Sequence, residues 1–378
     1  MLRKYFIAHI YSISVLFVIV LLFQSCNNRR LVNIEGREVP LYHSSLLRIL
    51  NADGYTVAEI KNPWGDGVLQ RYLLVPRDSA LPESLPDGKI LRVPLSRTLL
   101  FSGVHASLLE ELGVVEAVSG VCDAKYMYSA TVKKALSEGR VIDCGSSLNV
   151  NSEKVVKANP EAIFVLPYEN GGYGKLENLP FTLIECADYM ETSPLGCAEW
   201  VRFYGRLFGK GKESDSLFAR VCEEYESLRM LAKGCVVRPK LMCELKSSSA
   251  WYVPAGESTM GQLYSDAAAC YLFSYNKGSG SIPLSYEVVL DKAADADIWL
   301  IKYNSPIDKT ISSLIDEFPS YTHFKPLMER EVYGCNTNRN NIFEETSFHP
   351  ERLLKELVAI FHPELLINYK LKYYEKLH

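Results

Sequence analysis

From about residue 90 onward the chain alternates short apolar runs with amphipathic stretches. The runs predict strands over 98–102, 118–121, 141–143, 163–166 and 182–185. Helical spacing falls between them over 104–112, stopped by Gly113, and over 152–158, capped by Ser152 and closed by Pro160. Short apolar strands separated by amphipathic helices call for a largely parallel sheet covered on both faces. Residues 194–233 differ. Leu217, Val221, Tyr225 and Leu228 keep helical spacing while Glu223, Glu224, Glu226 and Arg229 take the other faces, which predicts a long helix ended by Gly234. The alternation then resumes, with strands over 240–245 and 298–301 and helices over 259–269, 285–293, 350–360 and 363–369.

Two segments on either side of that helix echo each other. Asn151-Ser152-Glu153-Lys154-Val155-Val156 runs into Ala162-Ile163-Phe164-Val165-Leu166, and Leu284-Ser285-Tyr286-Glu287-Val288-Val289 runs into Asp297-Ile298-Trp299-Leu300-Ile301. Each is a Ser cap, a Glu in the first turn, a short helix and an apolar strand. The fold expected is therefore α/β: two Rossmann-like lobes, over 90–207 and 235–378, joined by one helix over 208–234. Ahead of them, 26–89 reads as an accessory β segment, with strands over 55–60 and 69–75 around Asn62-Pro63-Trp64-Gly65-Asp66-Gly67, and a linker over 76–89.

The chain opens on a different pattern. Arg3 and Lys4 precede an apolar run over 10–23, and the polar Asn27-Asn28-Arg29-Arg30 follows small Ser25. This is the arrangement of an export signal, expected over 1–25. Cys26 resembles the lipidated residue of a lipobox, although Phe23 and Gln24 stand where that pattern has Leu and a small residue. Lipidation there holds the mature chain to a membrane.

Charge and chemistry narrow the function. Lys and Arg number 41 against 45 Asp and Glu, so no basic excess is left to neutralise phosphates and nucleic acid is excluded as a partner. Only one long apolar run exists, which excludes a multi-span membrane protein. Nine Cys remain beyond Cys26, with no Cys-x-x-Cys, and the seven His include no His-Glu-x-x-His, so no metal site is expected. Their scatter fits buried single thiols; Cys186 and Cys197 are the one pair that could bridge. There is no Gly-x-Ser-x-Gly elbow, and Gly205 to Lys212 misses the spacing of a phosphate loop. With no catalytic constellation, neither an enzyme nor a bound cofactor is expected.

Aromatic residues stand beside Gly and polar residues in the loops expected after strands. They include Tyr126 and Tyr128, Tyr168 and Tyr173 of the Gly171-Gly172-Tyr173-Gly174 loop, and Tyr189. In the second half they are Trp251 and Tyr252, Tyr275 before Gly278-Ser279-Gly280-Ser281, and Tyr303. Open α/β sheets hold ligands outside the carboxyl ends of their strands. Such a set suits a large, flat or partly apolar ligand.

Several stretches carry a family resemblance. Val141-Ile142-Asp143-Cys144-Gly145-Ser146-Ser147-Leu148-Asn149 leads into Glu153 and Lys157-Ala158-Asn159-Pro160-Glu161-Ala162-Ile163. Glu191-Thr192-Ser193-Pro194-Leu195-Gly196-Cys197-Ala198-Glu199-Trp200 and Gly205-Arg206-Leu207-Phe208-Gly209-Lys210 follow. Ser281-Ile282-Pro283-Leu284-Ser285-Tyr286-Glu287 and Ile360-Phe361-His362-Pro363-Glu364-Leu365-Leu366 extend the match. Over about residues 90–367 the chain resembles the substrate-binding lipoproteins of ABC importers for iron complexes, haem and cobalamin.

The resemblance implies a periplasmic or otherwise extracytoplasmic receptor. Its cargo is an iron complex (siderophore or haem) or a corrinoid, held between the lobes and passed to an ABC permease dimer and its ATPase. Glu153 and Glu287 match the family's permease-docking carboxylates, and a Glu there also complements a helix N-terminus. Cys197 stands where this branch often has Arg, which removes the salt bridge expected there. The ligand-binding candidates are His105, Tyr126, Tyr168 and Tyr173 from one lobe, and Trp251, Tyr275 and Tyr303 from the other. Haem requires an axial ligand, a Tyr or His105. An anionic siderophore calls on Lys125, Lys246, Lys302 or Arg339, and a corrinoid on aromatic and backbone contacts. The other reading is a lipid-anchored sensory or surface interaction module without a permease.

Overall fold

Residues 35–378 are described by the computed structural model, and the expected signal segment and Cys26 lie outside them. Five strands come first: β1 (Arg37–Val39), β2 (Leu47–Ala52), β3 (Tyr55–Lys61), β4 (Val68–Pro76) and β5 (Lys89–Val93). They pair in that order, antiparallel except that β5 joins β4 in parallel. The Pro-rich stretch 76–89 is thus no linker between domains. Parallel neighbours cannot be joined by a tight turn, and this stretch is the crossover that makes the pairing. Residue 90 accordingly belongs to the accessory sheet, not to the first lobe. Inside the sheet Glu59 faces Arg71 across the β3–β4 ladder, and the two fully buried side chains pair at 2.6 Å.

The first lobe follows with β6 (Thr98–Leu100), α1 (Gly103–Glu111), β7 (Val118–Val121), α2 (Ala130–Ser137) and β8 (Ile142–Asp143). A hairpin of β9 (Gly145–Ser146) and β10 (Asn149–Val150) leads to α3 (Ser152–Ala158), β11 (Ala162–Val165) and β12 (Thr182–Glu185). The sheet order is β12-β11-β6-β7-β8, parallel throughout. Every residue of β6, β7 and β11 is buried, as helices on both faces require. The cap of α3 is Asn151 rather than Ser152: the Asn side chain accepts the Lys154 amide at 3.0 Å.

The crossing between lobes is built from α4 (Pro194–Glu199), α5 (Val201–Leu207) and the 23-residue α6 (Gly211–Lys233). Leu217, Phe218, Val221 and Tyr225 form the buried stripe of α6. Beyond it lie β13 (Lys240–Cys243), β14 (Lys246–Ser247), β15 (Ala250–Pro254), α7 (Thr259–Asp266), β16 (Cys270–Tyr271), β17 (Ser281–Leu284) and α8 (Tyr286–Ala293). Then come β18 (Ile298–Tyr303), α9 (Ile311–Glu317), α10 (Lys325–Met328), β19 (Val332–Asn336), α11 (Ile342–Thr346), α12 (Pro350–Phe361) and β20 (Glu375–Lys376). The second sheet runs β16-β13-β18-β19-β20, with only β20 antiparallel, and β14, β15 and β17 form a small antiparallel sheet beside it. A helix expected over 363–369 is instead a single turn over Pro363–Leu365, set off from α12 because Pro363 disfavours helical backbone at His362.

The last helices reach back across the boundary, α12 packing on α6 and α11 on α1. Tyr128 clinches this contact: its hydroxyl donates to the Thr337 carbonyl at 2.9 Å, and its amide to the Glu344 carboxylate at 2.9 Å. Among the described residues all nine Cys are thiols, so Cys186 and Cys197 do not bridge.

Candidate functional site

Each lobe carries a pocket where its parallel strands end. In the first lobe a cavity of about 430 Å³ is lined by Phe101 after β6, Leu148 in the β9–β10 turn, Leu166 after β11, and Tyr168, Tyr173 and Lys175. Its walls are mainly apolar, and Leu148 is almost wholly exposed. The glycines explain how Tyr168 is held. A Cβ on Gly171 would meet the Tyr168 ring at 1.8 Å, so the loop lies flat against that ring while the hydroxyl donates to the Gly172 carbonyl at 3.0 Å. Tyr173 donates its hydroxyl to Glu185, whose carboxyl burial pushes up from the usual range.

In the second lobe a cavity of about 390 Å³ is lined by Glu244, Lys246, Ser247, Tyr252, Pro254 and Lys302 among others. Glu244 ends β13 and Lys302 lies near the end of β18, and the two side chains form an ion pair. The Lys246 ammonium bonds the Ser248 carbonyl and lies 5.3 Å from the centre of the Phe318 ring.

The aromatic candidates divide. Tyr168 and Tyr173 line the first pocket. Tyr126 and Tyr275 are exposed in loops, Tyr126 beneath the Lys125 ammonium at 4.5 Å from its ring. Tyr303 is half-buried and its hydroxyl accepts the Lys309 amide at 3.0 Å. Arg339 is engaged by Asp308 and by the Pro306 carbonyl.

His105 and Trp251 are corrections. Trp251 is 0% exposed, donates its ring N–H to the Cys243 carbonyl at 3.0 Å and packs against Trp299, Tyr321 and Phe324. It is core, because the β15 face it occupies packs against β18 and the turn over residues 319–324 rather than over the pocket mouth. His105 is 2% exposed, enclosed by Phe164, Tyr204 and Phe348. Neither side chain can reach a ligand.

His105 also bears on the expectation of no metal-ligand cluster. Its ring nitrogen, the Cys186 sulfur and an Asp188 oxygen lie within 4.8 Å of one another. Sequence spacing could not show this, since α1 and the end of β12 supply them from distant stretches. The Tyr204 hydroxyl closes the group, donating to Asp188 at 2.5 Å with the His105 Nε2 at 3.3 Å. Burial pushes both the Cys186 thiol and the Tyr204 phenol well up, so each keeps its proton. A second group, Cys235 with His362 and Glu364, lies at the far end of α6.

Glu153 and Glu287 occupy equivalent places, exposed in the first turns of α3 and α8. The Ser285 hydroxyl and the Glu287 amide hold the Glu287 carboxyl below its usual range, so it stays charged at neutral pH. Tyr128, one of the loop aromatics, instead bridges the lobe boundary, and sequence reasoning does not reach its partner Glu344 or Phe101 and Leu148 of the first pocket. Leu148 had a signal: it is a lone large apolar residue in the polar turn Ser146-Ser147-Leu148-Asn149.

Comparisons with known proteins agree with this architecture. The signature of the family described as periplasmic binding protein matches residues 102–338. An uncharacterized lipoprotein of Methanocaldococcus jannaschii is 28% identical over 327 residues, covering 82% of this chain and 77% of the relative. That is a larger share than remains after residue 101, so the likeness extends into the accessory sheet. An Fe3+-hydroxamate transport-system structure from Saccharomonospora viridis superposes with a TM-score of 0.56 at 15% identity, covering 72% of this chain and 95% of that one. A periplasmic heme-binding protein from Roseiflexus gives 0.54 at 17% identity, covering 71% and 99%. These likenesses establish the two-lobe fold with its long connecting helix.

Proposed function

As this chain belongs to the periplasmic binding protein family, we propose that it is the cargo receptor of an ABC importer. It takes an iron complex or a corrinoid between its lobes and hands it to a permease through Glu153 and Glu287. A lipid on Cys26 holds it at the outer face of a membrane. The observation that carries this reading is the pocket of Tyr168, Tyr173, Phe101 and Leu148. It is an apolar, aromatic surface at the carboxyl ends of a parallel sheet, which suits a bulky ring or chelate shell.

The mechanism is binding without reaction. The helix α6 crosses the boundary unbroken, α12 packs along it and α11 packs back on α1 of the first lobe, so closure is a small rotation and the cleft is largely pre-formed.

The test is titration of the detergent-solubilised full chain with haem, cobalamin and a panel of ferric siderophores, followed by Trp fluorescence and visible absorbance. Saturable binding of one of them with Kd below about 1 μM, weakened by Tyr168→Ala, is expected. Binding of none returns the protein to the interaction-module reading.

A further inference from the structure

Glu244 has a backbone that its side chain does not favour. Its φ is +65°, the left-handed region that a Glu rarely adopts. Two bonds to the neighbouring strand β18 hold it there: its amide donates to the Leu300 carbonyl at 2.8 Å, and its carbonyl accepts the Trp299 ring N–H at 2.9 Å. Strain kept at the carboxyl end of a parallel strand, where such sheets bind ligands, points to a site. The result of this conformation is the contact between the Glu244 carboxylate and the Lys302 ammonium at one wall of the 390 Å³ pocket.

Lys302 is four-fifths buried. Behind it stand Tyr264 and Tyr374, both fully buried, with hydroxyls that meet no hydrogen-bond partner among the described residues. These phenols supply no counter-charge, and Glu244 is the carboxylate partner of Lys302 among the described residues. On the same pocket Lys246 makes no ion pair among the described residues, and the carboxylate that feels its charge is Glu287 of α8, outside the pocket lining. The pocket therefore holds two ammonium groups and one carboxylate, in a surround closed by Leu245, Tyr252 and Pro254. The lining alone carries one ammonium more than it has carboxylates. The first-lobe pocket, by contrast, has Lys175 as its one charged lining residue and walls of Phe101, Leu148, Leu166 and two tyrosines.

We propose that the second-lobe pocket binds an anionic oxygen group, a carboxylate on the rim of the cargo, between Lys246 and Lys302, with Glu244 as the residue that positions Lys302. This rests on the receptor reading and adds the cargo's chemical class to it: an apolar ring that carries free carboxylates. Amide-rimmed corrinoids lack the charge this pocket calls for. Glu244 does not touch the cargo; it fixes the direction of one ammonium so that little is lost in ordering it on binding.

The test compares haem with haem dimethyl ester, which keeps the ring and the iron and loses both carboxylates, and adds cobalamin as an uncharged-rim probe. Binding to the full chain in detergent is read by visible absorbance. The free acid is expected to bind roughly tenfold or more tighter than the ester. Lys302→Gln and Lys246→Gln should each remove most of that difference, and Lys302→Arg should restore part of it. Glu244→Gln should weaken haem less than either Lys change.

Equal binding of acid and ester overturns the inference and leaves the receptor standing, as does cobalamin binding that ignores both Lys changes. Failure of all three probes and of the siderophore panel overturns the receptor reading itself. The acid–ester comparison uses unaltered protein, so a variant that misfolds does not blunt it.

Discussion

His349 donates its Nε2–H to the Glu111 carboxylate at 2.6 Å, tying the residue before α12 to the end of α1 across the lobe boundary. The other ring nitrogen meets Glu351 at 2.8 Å, so both contacts are made together only by the imidazolium. Burial pulls the His349 pKa down, but the hydrogen bonds from Glu111 and Glu351 outweigh it and the net shift is upward. The stability this gives is complete below the ordinary value of 6.5 and is lost as pH rises through the raised one. Burial raises Glu111, and its bond to His349 more than reverses that, so its contribution is present above 4.5 and lost as pH falls. Arg352 beside Glu351 and Arg220 near Glu111 are the other charged groups facing the pair. The melting temperature should therefore fall as pH is raised from 6.5 towards 9. His349→Gln should flatten that slope, and an unchanged slope contradicts the assignment.

Gly103 is required by its neighbour. A Cβ there would lie 1.8 Å from Glu344 Oε1, the oxygen that accepts the Tyr128 amide. Gly103→Ala should cost about 1–3 kcal/mol in chemical denaturation. Adding Glu344→Ala should cost less on that background than alone, because the clash has already broken the bond.

The accessory sheet is fastened by two buried carboxylates. Glu199 accepts the amides of Tyr42, His43 and Ser44, at 3.2, 2.9 and 2.9 Å, while Glu191 accepts those of Ser45 and Leu46 and the Trp200 ring N–H. Glu199→Gln should destabilise by about 2 kcal/mol. Amide exchange should accelerate over residues 42–46 first, and uniform acceleration would show that the sheet does not open separately.

Trp251 and Tyr168 should separate stability from binding. Trp251→Ala empties a packed aromatic cluster and should cost about 3–5 kcal/mol. Tyr168 is 58% exposed, so Tyr168→Ala should stay within about 0.5 kcal/mol in stability yet weaken cargo. Equal thermal loss in both would place Tyr168 in the core's support rather than in the site.

The docking carboxylates should act on transfer alone. Glu153→Lys should leave cargo affinity within about twofold, and together with Glu287→Lys it should abolish permease-dependent uptake. Unimpaired uptake by the double variant would remove both residues from the interface.

Much of the framework was legible because burial on both faces leaves a plain mark. The runs around Leu99, Val121, Phe164 and Leu300 are parallel strands, and the Leu217–Val221–Tyr225 stripe is α6. The accessory sheet was only half legible. Its β1 has three residues with two of them exposed, so it offers no alternation, and β5 follows a Pro-rich crossover that imitates a linker. In the site, Tyr168 and Tyr173 could be found because Gly171 and Gly172 mark a close approach. Trp251 and His105 misled, since a large polar-capable ring beside a strand end reads the same in sequence whether it faces the cleft or the core. Only the partners of Trp251, on β18 and in the turn over residues 319–324, decide which, and those come from distant positions. The His105–Cys186–Asp188 group was illegible for the same reason.

The most direct test of the account is hydrogen–deuterium exchange of the full chain with and without its saturating cargo. The account predicts protection in two places together: residues 147–150 and 168–176 of the first lobe, and residues 244–254 of the second. Protection confined to one lobe, or lying along α6 and α12 away from both pockets, would contradict a cargo held between the lobes.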